Sequence, residues 1–169
     1  REDWMEHRLN CLKNFGIVDQ EHVVWVGGNA KMNEFQAAMG LCNMHHLDQE
    51  IDRRRLVVER YLSGLAGVPG IRLPSFREGL TPNYAYFPVL FEDFKADRDQ
   101  VYDCLAGHRI YPRKYFYPLI NDFQCYKGRF SSKDTPVAAY VADRVLTLPC
   151  YADLELEDVD RICGIIRGM

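Results

Sequence analysis

The sequence predicts an α+β chain: a helical lead, a long connecting helix, then a small, largely antiparallel sheet with helices on one face. Three observations carry this. Leu41, Met44, Leu47, Ile51, Val58, Leu62 and Leu65 recur in steps of three, four or seven, the spacing of one helix face over about eight turns. Beyond Gly67, short β-prone runs alternate with capped helices. The links between them are short and hairpin-like, which favours antiparallel pairing. The expected division is residues 1–66 for the lead and connecting helix and 67–169 for the small C-terminal α+β domain, with the boundary near Gly67 to Gly70.

Taken in order, Trp4, Met5, Leu9, Leu12 and Phe15 sit at helical spacing, and Gly16 stops that helix. Val23-Val24-Trp25-Val26 is β-prone and ends at Gly27-Gly28. Asn33 with Gln36 forms a capping box that opens the connecting helix. Its end falls between Gly64 and Gly67, before Pro69. Strands are expected at Ile71–Leu73, Tyr84–Phe91, Arg109–Tyr111 and Leu146–Leu148. Asp97 caps a helix that Gly107 closes, and Thr135-Pro136 opens another that runs through Val145. The last helix starts near Glu155, with acids in its first turn to suit the helix dipole. Residues 112 to 135 read as an aromatic, proline-containing loop.

The 169 residues suit one domain or a large piece of one, and 47% apolar content supplies a core. A net charge of −3 gives no electrostatic reason to expect nucleic acid or an anionic membrane as partner. Arg53-Arg54-Arg55 is flanked by acids and reads as a solvated helix face. No apolar run approaches the ~20 residues of a membrane span, and Arg1-Glu2-Asp3 opens no secretory leader. Six scattered cysteines without a C-x-x-C pair fit reduced thiols in a cytoplasmic protein, packed mostly as small hydrophobes.

Several chemistries find no support. There is no G-x-S-x-G nucleophile elbow, and nothing pairs one cysteine with one histidine. Cys42 and His46 share a helix face, yet zinc needs further ligands, so no metal site is expected. Two segments are unusual. Gly27-Gly28-Asn29 precedes a helix start, where close backbone approach and the helix dipole favour an anion, and Lys31 adds a cation. That stretch also reads as a plain turn between strand and helix. Pro112-Arg113-Lys114-Tyr115-Phe116-Tyr117-Pro118 is a stiff cationic, aromatic surface suited to stacking a base or sugar and pairing with phosphates. Its bland alternative is a loop packed over the sheet.

Gly27-Gly28-Asn29-Ala30-Lys31-Met32-Asn33-Glu34-Phe35-Gln36-Ala37-Ala38 resembles the G-x-N-x-[RK]-M-x-E-x-Q-A-A segment of the DegT-type, pyridoxal 5′-phosphate (PLP)-dependent sugar aminotransferases. Arg113-x-Tyr115-Phe116-Tyr117-Pro118-Leu119 and Arg144-Val145-Leu146-x-Leu148-Pro149-x-Tyr151 continue the resemblance in order, from Asn14 to the end. It implies the C-terminal part of a fold-type I PLP enzyme. The implied activity moves an amino group from glutamate onto a nucleotide-linked keto-sugar, in a homodimer. Asn29 would reach the PLP phosphate of the neighbouring protomer, with Lys31 beside it. Arg113, Tyr115 and Tyr117 would contact substrate, although many members carry a His-Tyr pair where this chain has Tyr115-Phe116-Tyr117. None of the six lysines, 13, 31, 95, 114, 127 and 133, lies in a context like the family's Schiff-base segment, so catalysis by this chain alone is not expected. Two other readings remain: a non-enzymatic regulatory or oligomerising homologue on the same scaffold, and an unrelated α+β binding module.

Overall fold

The structure, a computed structural model, describes residues 2–169. The chain divides into two compact units, Arg1–Leu47 and Asp48–Met169.

In the first unit, α1 (Asp3–Leu12) ends earlier than the sequence predicts. Phe15 (φ 61°) and Gly16 (φ 80°) both turn left-handed, and the Gly16 amide donates to the Cys11 carbonyl at 2.8 Å. Two glycines then let backbone pass against backbone. A Cβ on Gly16 would lie 1.7 Å from the Trp25 carbonyl oxygen, and one on Gly27 would lie 2.5 Å from that of Leu12. The expected strand at Val23–Val26 does not form. Its amides at Val24 and Trp25 both turn to the Gly16 carbonyl, at 3.1 and 3.4 Å, leaving only an isolated Ile17↔Val23 bridge. Trp25 instead meets the His7 ring edge-on and the Arg8 guanidinium.

α2 (Glu34–Met44) begins as predicted, with the reciprocal Asn33–Gln36 capping box present. The single long connecting helix does not hold. The amides of His45 and His46 reach back only three residues, to Cys42 and Asn43, and the regular ladder resumes in α3 (Leu47–Gly64). Asn, His and Cys are weak helix formers, and four of them adjoin here, at 42, 43, 45 and 46. The apolar stripe is accordingly split. Leu41, Met44 and Leu47 are exposed, whereas Val58 and Leu65 are buried.

The second unit holds the core. Its sheet has three antiparallel strands in the order β1 (Ile71–Arg72), β2 (Phe87–Phe91), β3 (Val145–Leu148). The register pairs Ile71 with Phe91, and Phe87 with Leu148. β2 alternates, sending Phe87, Val89 and Phe91 inward, and β3 is buried throughout. Val57, Val58, Tyr61 and Leu65 of α3 pack there with Val101 and Leu105 of α4 (Arg98–Gly107). Val159, Ile162 and Ile166 of α6 (Leu156–Gly168) complete the cluster. The arginine run behaves as a solvated face: Arg53 pairs with Asp153 at 2.9 Å and Arg55 with Glu59 at 2.9 Å. Cys163 packs as a small hydrophobe, and burial pushes its thiol up to about 11; Cys42 and Cys125 are exposed instead.

The predicted strand at Arg109–Tyr111 is absent because those residues close α4. Arg109 (φ 62°) is left-handed, its amide bonds to the Ala106 carbonyl at 2.9 Å, and the Ile110 amide bonds to that of Leu105 at 2.9 Å. That is a Schellman pair with Arg109 in the position glycine usually takes. The predicted strand start at Tyr84 moves to Phe87, since Tyr84 is left-handed (φ 51°). α5 (Pro136–Ala142) stops before Val145, which joins β3. Thr135 does not cap it; its hydroxyl donates to the Ser132 carbonyl. Three short 3₁₀ turns, at Ile120–Asp122, Gln124–Tyr126 and Ser132–Asp134, order the long loop.

Tyr61 carries a buried hydroxyl with no hydrogen-bond partner among the described residues, and burial drives its ionisation far above the usual phenol range. Tyr61→Phe therefore removes only an unpaid desolvation. Urea unfolding should show stability unchanged or raised by up to about 1 kcal/mol. A loss greater than about 1 kcal/mol would mean that the hydroxyl is bonded.

Candidate functional site

Two candidate surfaces emerge, one in each unit. In the first, Asn14 and Asn29 form an antiparallel bridge. The Gly28 amide is spent on the Leu12 carbonyl (3.0 Å) and the Ala30 amide on that of Lys13 (2.9 Å). The first turn of α2 is capped from within by Asn33. The Gly28, Ala30 and Gln36 amides are thus not free to receive an anion. Side chains add further groups. Asn29 is exposed, and among the described residues its carboxamide has no partner. Lys31 is also exposed; its Nζ donates to Asn14 Oδ1 at 3.0 Å and lies 5.4 Å from the Phe15 ring centre. Gly28 has open space where a Cβ would stand. A phosphate could be met here by the Asn29 amide and the Lys31 ammonium.

In the second unit a cleft of about 650 Å³ is lined by the Pro112–Pro118 loop together with Tyr102, Ile120 and Phe123. The loop is fixed at three points. Arg113 exchanges backbone hydrogen bonds with Thr147 of β3, at 2.9 and 2.8 Å. Lys114 Nζ sits 2.5 Å from Asp99 Oδ1 and 4.7 Å from the centre of the Tyr102 ring. The Tyr117 ring lies 4.6 Å from the guanidinium carbon of Arg98. Arg98 is itself only 4% exposed; its Nη1 donates to the Ala142 carbonyl at 2.9 Å, and its Nε is 2.6 Å from Asp99 Oδ1. Lys114's hydrogen bond, with help from Arg98, holds the Asp99 carboxyl below its usual range against a smaller desolvation cost. Asp99 is thus ionised at neutral pH, and the cluster loses its anion only in acid.

The cleft brings Arg113, Tyr115 and Tyr117 together, as the sequence predicts, but not with equal freedom. Tyr115 stacks on Phe116 with centroids 4.8 Å apart and meets Tyr86 edge-on at 5.7 Å. Tyr117 is committed to Arg98 and Lys114 to Asp99. The Arg113 guanidinium is exposed and, among the described residues, unpaired, so it is the cation left for an anionic ligand. Sequence reasoning missed Arg98, Asp99 and Tyr102. The charged Asp97-Arg98-Asp99 triplet was visible, but it reads as a helix start, and only the cap at Asp97 was legible. No group of three or more His, Cys, Asp or Glu able to hold a metal exists among the described residues. None of the described helices is long and apolar enough to cross a membrane.

A model of the DegT/DnrJ/EryC1/StrS aminotransferase family matches residues 1–167. The chain belongs to that family. Among its relatives is the dTDP-4-amino-4,6-dideoxy-D-glucose transaminase of Escherichia coli, 42% identical over 164 residues. That alignment covers 95% of this chain and 44% of the relative. The dTDP-3-amino-3,4,6-trideoxy-α-D-glucose transaminase of Streptomyces venezuelae is 30% identical over 164 residues, covering 96% of this chain and 42% of the relative. Among solved structures, S. venezuelae DesV in complex with a ketimine intermediate superposes with a TM-score of 0.87 at 30% identity, covering 99% of this chain and 44% of that one. DesI in the presence of its TDP-sugar product gives 0.84 at 28% identity, with coverages of 98% and 43%. The chain corresponds to the C-terminal portion of DegT/DnrJ/EryC1/StrS enzymes and spans less than half the length of the curated relatives it matches.

Proposed function

We propose that this chain is the C-terminal portion of a PLP-dependent aminotransferase that moves an amino group from glutamate to a nucleotide-linked keto-sugar. One observation above all supports the reading: a cleft that joins an unpaired arginine, Arg113, to an aromatic wall, in a chain 42% identical to a dTDP-sugar transaminase. A sugar nucleotide offers a diphosphate for the cation and flat rings for the aromatics. In this reading Arg113 pairs with phosphate, while Tyr115 and Tyr117 form one wall of the sugar-nucleotide site. Asn29 and Lys31 hold the cofactor phosphate of a partner protomer in a homodimer through their side chains, since the Gly28 and Ala30 amides on either side of Asn29 are already bonded. PLP, when bound, supplies the electron sink for amino transfer. The lysine that links it belongs to the family's preceding portion, so this chain alone is inactive. The helical lead through α3, residues 1–66, and the small domain, 67–169, would be its two working parts.

The test uses a full-length protein carrying this chain. It should show the cofactor's visible absorbance, lose it on adding glutamate, and regain it on adding a dTDP-linked keto-sugar. A folded dimer without that absorbance would favour the non-enzymatic scaffold reading. Asn29→Ala should weaken PLP binding about tenfold or more, from one lost hydrogen bond to a charged group. Because Asn29 is exposed, the cofactor-free protein should keep its stability within about 0.5 kcal/mol. Titration of the apoenzyme with PLP checks the first figure and thermal melting the second.

A further inference from the structure

We propose that Arg98 and Asp99, in the first turn of α4, are positioning residues that set the shape of the sugar-nucleotide wall and so govern substrate affinity. The proposal rests on the function argued above. The two side chains act on the loop at positions 114 and 117, on either side of Tyr115 and Phe116. Asp99 Oδ1 stands against both cations, Lys114 Nζ at 2.5 Å and Arg98 Nε at 2.6 Å, the second a charge contact without hydrogen-bond alignment. One carboxylate oxygen thus ties the loop's lysine to a buried arginine. That arginine is anchored in turn to the Ala142 carbonyl at 2.9 Å and underlies the Tyr117 ring at 4.6 Å. Tyr102, one turn on in α4, backs the Lys114 ammonium at 4.7 Å.

The consequence for the loop is geometric. With Arg113 pinned to β3 by its backbone, Lys114 by Asp99 and Tyr117 by Arg98, the loop presents the Arg113 guanidinium, the stacked Tyr115–Phe116 pair and a fixed Tyr117 ring to a ligand. Removing the Asp99 charge releases Lys114 and leaves Arg98 with no anion in a site that is 4% exposed. The Tyr117 anchor then loosens and the wall loses its preset form, although none of these two side chains need touch substrate. A small misplacement of a binding wall is costly to a bound transition state.

The test compares Asp99→Asn, Asp99→Glu and Lys114→Met with the unaltered full-length enzyme. The glutamate half-reaction is followed by cofactor absorbance, and keto-sugar turnover by kcat and KM. dTDP alone serves as a binding probe. The expected result for Asp99→Asn is a KM for the sugar nucleotide raised roughly tenfold. dTDP affinity should fall in parallel, and the glutamate half-reaction should stay within about twofold of normal. Lys114→Met should reproduce the KM change and Asp99→Glu should recover most of it. Equal losses in both half-reactions, with a lowered melting temperature, would make Asp99 a general stability element and overturn the proposal. So would unchanged KM and dTDP affinity in Asp99→Asn when the unaltered enzyme turns over. If the unaltered enzyme reacts with glutamate but takes no keto-sugar nucleotide, the functional reading itself fails, and the proposal with it.

Discussion

Replacing Phe87 with alanine should cost the second unit about 3–5 kcal/mol, a large share of the roughly 5–15 kcal/mol that holds a domain folded. Phe87 is fully buried at the start of β2, the middle strand, where it pairs with Leu148 of β3. Its ring stacks on Tyr61 of α3, with centroids 4.8 Å apart and planes 15° from parallel. The substitution removes three contributions together: apolar burial, an aromatic pair worth about 0.5–1.5 kcal/mol, and the packing around the cavity left behind. Neighbours on two different elements would have to collapse into the gap, and β2 is held on both sides by strand pairing. Urea unfolding followed by circular dichroism measures the loss. A cost under about 1.5 kcal/mol would mean that the Tyr61–Phe87 stack is not the centre of the core.

Gly70→Ala should be nearly as severe, with a loss of more than about 2 kcal/mol. Gly70 has φ 77°, and a Cβ there would stand 2.2 Å from the Phe94 amide nitrogen and 2.3 Å from the Asp93 carbonyl carbon. Both obstacles are backbone, so neither can swing aside. The Gly70 carbonyl also accepts from the Glu92 amide at 3.0 Å, just beyond the β1–β2 ladder, so any displacement loosens that pairing. Gly79 provides the control. Its φ is 76° but nothing lies near its virtual Cβ, so Gly79→Ala should cost only the left-handed penalty, about 1 kcal/mol. The difference between the two variants in the same unfolding assay isolates the steric part.

What could be read from the sequence depended on how local the cause was. The capping box at Asn33 and the cap at Asp97 lie within four residues of chain, and both formed as predicted; at Asp97 the structure adds the reciprocal Gln100 bond. The three strands that formed were marked by runs of β-prone residues, although β1 is only two residues long and its existence depends on Phe91 opposite. The failures share a non-local origin. Val23–Val26 has strand composition, but the Gly16 carbonyl gathers its amides. Arg109 would suit a strand too, yet the C-terminal closure of α4 takes it first. The continuous connecting helix was an inference from an apolar stripe, and the stripe survives a break at His45-His46 because side-chain spacing alone does not report two missing backbone bonds.

The candidate site divides in the same way. Arg113, Tyr115 and Tyr117 stood out because cations and aromatics were adjacent in sequence, and the structure gathers them in one cleft. Nothing in the sequence revealed that Lys114 is taken by Asp99, or that an arginine 4% exposed supports Tyr117, because those partners are brought together only by the fold. The Gly27-Gly28 pair carried an ambiguous signal. Gly27 is explained by its close passage against the Leu12 carbonyl, while the open space at Gly28 leaves room for a ligand or a neighbouring chain.

Trp4 and Trp25, the chain's two tryptophans, both fall before Asp48. Indole fluorescence is therefore a spectroscopic probe of the first unit alone, and a quencher or polarity change seen in it says nothing of the sheet. Monitored side by side in one denaturant series, emission would follow the first unit alone, while ellipticity would sum over the helices of both. The separation of the two midpoints would then measure how far the halves melt as one.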